Sequence, residues 1–320
     1  MKHALFTFLL LICNFANAQN YKAIIAVADK LYDDKVYDKS VAKYKEAFAI
    51  EQKSTSDCYN AACAAALLGE KKLAMRWLNL SFDNGWTNIN HLSTDTDLTI
   101  LHGSRKWNKL LADMQKVVDK REANYDKPLQ AKLLAIHDDD QIIRNQFIAA
   151  QKKYGYQSKQ ADSLSKIMQY RDSVDLVKIV EILDKYGWVG ADKVGGTANQ
   201  TLFLVIQHSD LKTQQKYLPM MREAVKNKNA SGSSLALLED RVGLGEGKRQ
   251  VYGSQIGRNN DTQKHFVLPL DDPDNVDKRR AEVGLGPLAD YVKKWDIEWN
   301  IEDYKKQLPE IEAKRKKDNE

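Results

Sequence analysis

Several common protein classes are excluded by what this sequence lacks. Proline is scarce, only 6 among 320 residues, so long helices run with little interruption. Cysteine is scarcer, at 3. Cys58 and Cys63 fall in one alanine-rich helical segment. Five residues apart on a helix is about 140° in direction, so the two sulfurs diverge and both read as small core residues. No two histidines stand at a zinc-like spacing, and no metal or cofactor is expected. Neither sign of charge dominates: 49 Lys and Arg face 44 Asp and Glu, and the excess is dispersed, which is no nucleic-acid footprint. The dense basic run Lys314–Lys317 lies in a polar C-terminal stretch and reads as a solvated end. A phosphate loop is also missing. Gly243–Lys248 invites that reading, but Val242 stands where the first glycine belongs and Arg249 where the hydroxyl belongs.

Beyond the first residues no apolar run is long enough to span a membrane. The start itself is informative. Lys2 and His3 precede an apolar run, Ala4–Phe15, and Ala16-Asn17-Ala18 supplies the small-x-small pattern of a cleavage site. Residues 1–18 therefore read as a signal peptide, with Gln19 the new N-terminus and the mature chain periplasmic or secreted. A retained anchor needs about 20 apolar residues. A lipoprotein signal ending at Cys13 needs a small residue before it, and Ile12 is there.

Residues 19–120 repeat at a shift of 34. Ala28, Leu31, Tyr37, Ser40, Tyr44 and Ala47 recur as Ala62, Ala65, Lys71, Ala74, Leu78 and Ser81, with Lys35 and Gly69 in the matching turns. Small residues let paired helices approach, and large ones fill the groove beside them. The segment Tyr59–Cys63, Gly69, then Ala74–Leu78 resembles tetratricopeptide repeats. The stretch from Gly85-Trp86 through Asp95-x-Asp97-Leu98 to Trp107 resembles the end of such arrays in exported bacterial proteins. The resemblance implies a groove for a protein or peptide partner and no chemistry. Lys71, Ser40 and Ser81 depart from the pattern.

Residues 121–128 read as a linker and 129–300 as a second domain, followed by a charged tail over 301–320. Helices are expected over Leu129–Tyr154, Asp172–Tyr186 and Asn199–His208, with Asp210 capping a fourth that Pro219 kinks and Ser231–Ser234 capping a fifth. Gln250–Ile256 and His265–Leu270 read as a β-hairpin, and Asp274–Val283 returns to helix. The fold class is thus mainly α, a short helical repeat array followed by a helical domain with one small hairpin.

In that domain polar groups stand among apolar ones. Asp140 and Arg144 share a helix face with Gln141 beside them. Gln207-His208 closes an apolar helix, Asp240-Arg241 closes a leucine-rich one, and Gln250-x-Tyr252-Gly253-Ser254-Gln255 follows a glycine-dense turn. His208 is the candidate acid or base, oriented by Asp240 or Asp140. Arg144 and Arg241 suit a carboxylate or phosphate. Gln141, Gln207, Tyr252 and Gln255 suit hydrogen bonds to a small polar ligand. His137–Asp140 invites a divalent cation, but acids near a helix start also complement its dipole. With Gly187-Trp188, Asp277-x-Arg279-Arg280 and Gly284-Leu285-x-Pro287-Leu288, these motifs occur in the order seen in a bacterial domain family without an established function. The resemblance covers Leu129–Trp295, with Val189 and Ser254 as mild departures, and carries no assigned catalytic residue. Three functions follow as expectations: a binding protein, a hydrolase built on His208, or a structural scaffold of the envelope.

Overall fold

The computed structural model describes residues 20–50, 54–259 and 262–318, and the chain divides into two units after Ala123. The expected leader and its cleavage point before Gln19 lie outside the described residues. Among the described residues no helix is long and apolar enough to cross a membrane.

Unit 1 is built from α1 (20–33), α2 (Tyr37–Ile50), α3 (Thr55–Leu67), α4 (Lys71–Asp83), α5 (Ile89–Thr94), a 3-10 turn over Thr96–Leu101, and α6 (Arg105–Glu122). Alanine makes α3 narrow, so α2, α4 and the 3-10 turn all pack on it, with Ala61, Ala62, Ala64 and Ala65 buried. Tyr44, Phe48, Trp77 and Leu78 fill the space beside it, and Trp107, Leu110 and Met114 of α6 extend the same core. The turns before α2 and α4 match: Lys35 and Gly69 both take positive φ, 59° and 89°. Glycine does so freely and lysine at a steric cost. Where alanine is usual, the buried hydroxyls tie helices together. Ser40 Oγ donates to the Ala28 carbonyl at 2.9 Å and Ser81 Oγ to that of Thr55 at 2.8 Å. Cys58 and Cys63 are free and buried, and burial pushes the Cys58 thiol up to about 11.

Unit 2 begins with two antiparallel 28-residue helices, α7 (Lys127–Tyr154) and α8 (Lys159–Tyr186). Asp126 caps α7 by accepting from the Leu129 amide at 3.0 Å, and Pro128 sits in the first turn, where its missing N–H costs nothing. Then come α9 (Ala191–Val194), α10 (Gly196–His208), α11 (Leu211–Lys226) and α12 (Gly232–Gly245). Asp210 caps α11 through the Thr213 amide at 2.8 Å, and Pro219 lies inside that helix. The apolar α10 packs across α7 and α8, so Leu133, Ile136, Ile179, Ile182, Leu202 and Ile206 form one core.

Three expectations change here. The helix expected from Asp172 starts at Lys159; its first turns bury only Ala161 and leave Ile167 and Tyr170 exposed, so no apolar stripe marks them in the sequence. The hairpin shrinks to β1 (Ile256–Arg258) and β2 (His265–Val267), paired antiparallel. Gln250 keeps only a single bridge to Leu270. Lastly, the expected tail is α15 (Ile301–Asp318), preceded by α13 (Val276–Glu282) and α14 (Leu288–Val292). Tyr304 and Leu308, four residues apart, are buried against Val267, Leu270 and Leu288. The Tyr304 hydroxyl donates to the Leu268 carbonyl at 3.0 Å and accepts from the Leu270 amide at 2.6 Å. Tyr304, Leu308 and the partly buried Ile311 form a narrow apolar stripe, spaced four and three residues apart, on an otherwise mostly charged helix.

Candidate functional site

The i, i+4 spacing on α7 places Asp140 and Arg144 over the last residue of α10. His208 Nδ1 lies 2.9 Å from Asp140 Oδ1, and Arg144 Nε donates to His208 Nε2 at 3.4 Å. With Nε2 accepting, Nδ1 carries the proton and donates to Asp140. Arg144 Nη2 also reaches Asp172 Oδ1 on α8 at 2.8 Å and Asp140 Oδ1 at 3.4 Å. Gln141 Nε2 donates to Asp140 Oδ2 at 2.6 Å. Asp140 is buried, whereas Arg144, Asp172 and His208 each keep a partly exposed side chain.

Burial pushes the Asp140 carboxyl up. The His208 hydrogen bond, the charge of Arg144 and the Gln141 bond outweigh it and hold the group below the usual 3.8. A carboxyl depressed by folding stabilises the fold fully above its unfolded pKa and stops doing so as pH falls through the folded one. Urea denaturation should therefore show Asp140→Asn less stable than the parent at pH 7. The gap should narrow as pH drops below about 3.8, and a gap unchanged at pH 3 would contradict the assignment.

Arg241 on α12 joins from the other side. Its Nη1 donates to the Gln207 carbonyl at 2.8 Å and its Nε to Gln255 Oε1 at 3.2 Å. The Gln207 side chain is buried, and its Oε1 has no hydrogen-bond partner among the described residues. Burial lowers the Arg241 pKa, and the nearby Arg144 charge pushes the same way.

The structure thus gathers Asp140, Gln141, Arg144 and His208, linked through the Gln207 backbone to Arg241 and Gln255. It does not bring Asp240 to His208. Adjacent residues on a helix diverge by about 100°, so Asp240 points away from Arg241 and accepts the amides of Val251, Tyr252 and Ser254 at 2.6, 3.0 and 3.0 Å. Tyr252 contributes its backbone there, not its phenol. The His208 partner is Asp140. Asp172 joins the site without a sequence signal, because nothing local marks a residue 28 positions from Arg144 as its partner.

Asp140, Asp172 and His208 bring their ligand atoms within 4.8 Å of one another. The Arg144 guanidinium already occupies the place a cation would take between the two carboxylates. His137–Asp140 lie mid-helix and turn to different partners: His137 Nδ1 lies 3.5 Å from Asp138 Oδ1, Asp139 pairs with Arg171 at 3.3 Å, and Asp140 faces His208. In unit 1, Cys63, Asp95 and Asp97 also approach. There Tyr59 donates to Asp95 at 2.7 Å, Tyr32 donates to Asp97, and burial raises the Cys63 thiol, so the donors are engaged or protonated.

The fold and site define unit 2 as a helical domain with a buried charged network at the end of a central apolar helix. The chain belongs to the family described as DUF6624, a family of unknown function, whose model matches residues 127–302. The resemblance read over Leu129–Trp295 lies within that span. No curated protein and no solved structure matches the chain.

Proposed function

We propose that this is an exported binding protein whose unit 2 holds a small anionic group, a carboxylate or phosphate, between Arg241 and Arg144, beside His208. Arg241 supports the reading. Of five N–H donors in its guanidinium, the described residues use one on Nε and one on Nη1, and none on Nη2. No carboxylate among them lies within ion-pair distance of it. A half-buried cation without a counter-ion is costly, and an anionic ligand supplies the missing acceptor. Calorimetric titration of the full chain with acetate and with inorganic phosphate tests this. Arg241→Gln should weaken binding about tenfold or more, the worth of a hydrogen bond to a charged group. Absence of binding to both anions, or unchanged binding in the variant, overturns the reading.

Unit 1 would serve as a tetratricopeptide-like surface for a protein or peptide. Its matched turns and small buried residues at the helix crossings support that. Export is tested by N-terminal sequencing of the chain recovered outside the cytoplasm, which should begin at Gln19.

A hydrolase is the second reading, and the 2.9 Å contact of His208 with Asp140 favours it. Against it, His208 Nε2 already accepts from Arg144, leaving no lone pair for a substrate proton until Arg144 moves. Unchanged anion binding but abolished turnover in His208→Ala would establish it.

A further inference from the structure

A second cleft in unit 2, of ≈ 530 Å³, opens at the opposite end of α10 from His208. Twelve residues separate Gly196 from His208, about 18 Å along a helix, so it is not an extension of the Arg241 site. Its floor is apolar: Trp188, Phe203 and Met221 are buried beneath it. Its rim is polar and comes from the first turns of α10 and α12. The side chains of Thr197, Gln200 and Ser234 line it without a hydrogen-bond partner among the described residues. Asn199, also in the wall, is committed to structure. Its Nδ2 donates to the carbonyls of Val189 at 2.6 Å and Asn229 at 2.7 Å, fixing the first turn of α10 to two flanking loops. Ser231 Oγ caps α12 and shares a 2.7 Å hydrogen bond with Ser233 Oγ. The walls are therefore held in place while the rim groups stay free.

No ionisable side chain lines this cleft. A formal charge on a ligand would find no side-chain counter-charge, so the lining favours an uncharged molecule. Hydroxyls and amides both donate and accept, and they surround an apolar floor. That combination matches a ring with polar edges and apolar C–H faces. Ligand sites of this kind span roughly 300–1,000 Å³ and combine apolar walls with a few placed polar groups. We propose that the cleft is a carbohydrate subsite taking a neutral, polyhydroxylated ring, independently of the anion site at Arg241.

Saturation-transfer NMR on the full chain, with glucose, N-acetylglucosamine and glucuronate as probes, tests the proposal. At least one of the two neutral sugars should bind, and more tightly than glucuronate. A Cβ on Gly196 meets nothing within 4 Å, so a side chain can begin there, and Gly196→Phe is chosen to obstruct the cleft. It should weaken neutral-sugar binding about tenfold, the equivalent of 1.4 kcal/mol. The exposed Gln200→Leu, which leaves the core intact, should cost about fivefold, one hydrogen bond. His208→Ala should leave sugar binding unchanged. The proposal is overturned if neither neutral sugar binds, if glucuronate binds more tightly, or if both cleft variants bind like the parent.

Discussion

Asp240→Ala is expected to cost unit 2 about 3–5 kcal/mol, because it strips the acceptor from three amides at once, one buried and two part-buried, and each orphaned donor costs ~1–3 kcal/mol. Asp240 is 1% exposed and lies on α12. Its Oδ1 takes the Val251 and Tyr252 amides, and its Oδ2 takes those of Tyr252 and Ser254. Nothing else in the described structure accepts from these groups. Burial raises the pKa of the carboxyl and the amide donors pull it back, as for a side chain serving a backbone turn. Marginal domains hold only about 5–15 kcal/mol in total, so the variant is close to unfolding. Urea denaturation followed by circular dichroism should show an earlier unit 2 transition with unit 1 retained. Asp240→Asn keeps one acceptor oxygen and should fall between. A loss below about 1 kcal/mol for the alanine variant would mean that water replaces the carboxylate and that the turn does not depend on it.

The same carboxylate shows what the sequence can and cannot disclose. Helix periodicity puts Asp140 and Arg144 on one face, and the structure uses them together. Periodicity also says that Asp240 and Arg241 diverge, but not which of them turns toward His208. That choice is made by the packing of α10 against α7 and α12, a tertiary matter. Asp172 was invisible for the same reason. The half of α8 before Asp172 was illegible because a helix without a buried stripe leaves no apolar period to read. The C-terminal helix misled in the opposite way, its charges outnumbering the Tyr304 and Leu308 anchors. The turns were legible: Gly69 announces a left-handed residue, and Lys35 was found only because the repeat aligned it with that glycine. The hairpin is shorter than the strand-like composition of Gln250–Gln255 suggests, because the Val251, Tyr252 and Ser254 amides are spent on Asp240 and that of Gln255 on Gln250 Oε1 instead of on a ladder.

Arg280→Ala is expected to cost about 3–5 kcal/mol, through two orphaned carbonyls and the volume of a long buried side chain. Arg280 on α13 is 1% exposed. Its Nε donates to the Gly286 carbonyl and its Nη1 to that of Tyr252, each at 2.6 Å, and its guanidinium lies 4.8 Å from the Tyr291 ring centroid. Burial lowers its pKa, and the negative potential of Tyr291, Asp277 and Asp240 raises it again, so the charge is held by surrounding groups, with no direct ion pair among the described residues. Arg280→Lys should rescue little, because a compact ammonium cannot serve two carbonyls and cover a ring together. Arg280→Met separates the contributions: it restores volume but no donor, and stability equal to the parent would show that the carbonyl bonds are dispensable. The decisive comparison couples the two buried charges. Asp240 takes the Tyr252 amide while Arg280 binds the Tyr252 carbonyl, so both clamp one residue between α12 and α13. Once either is gone, Tyr252 is free to move, and the second loss removes less. The double variant Asp240→Ala, Arg280→Ala should therefore be destabilised by less than the sum of the single variants, with a coupling of about 0.5–3 kcal/mol. Strict additivity in urea denaturation would mean that the two side chains support separate parts of unit 2.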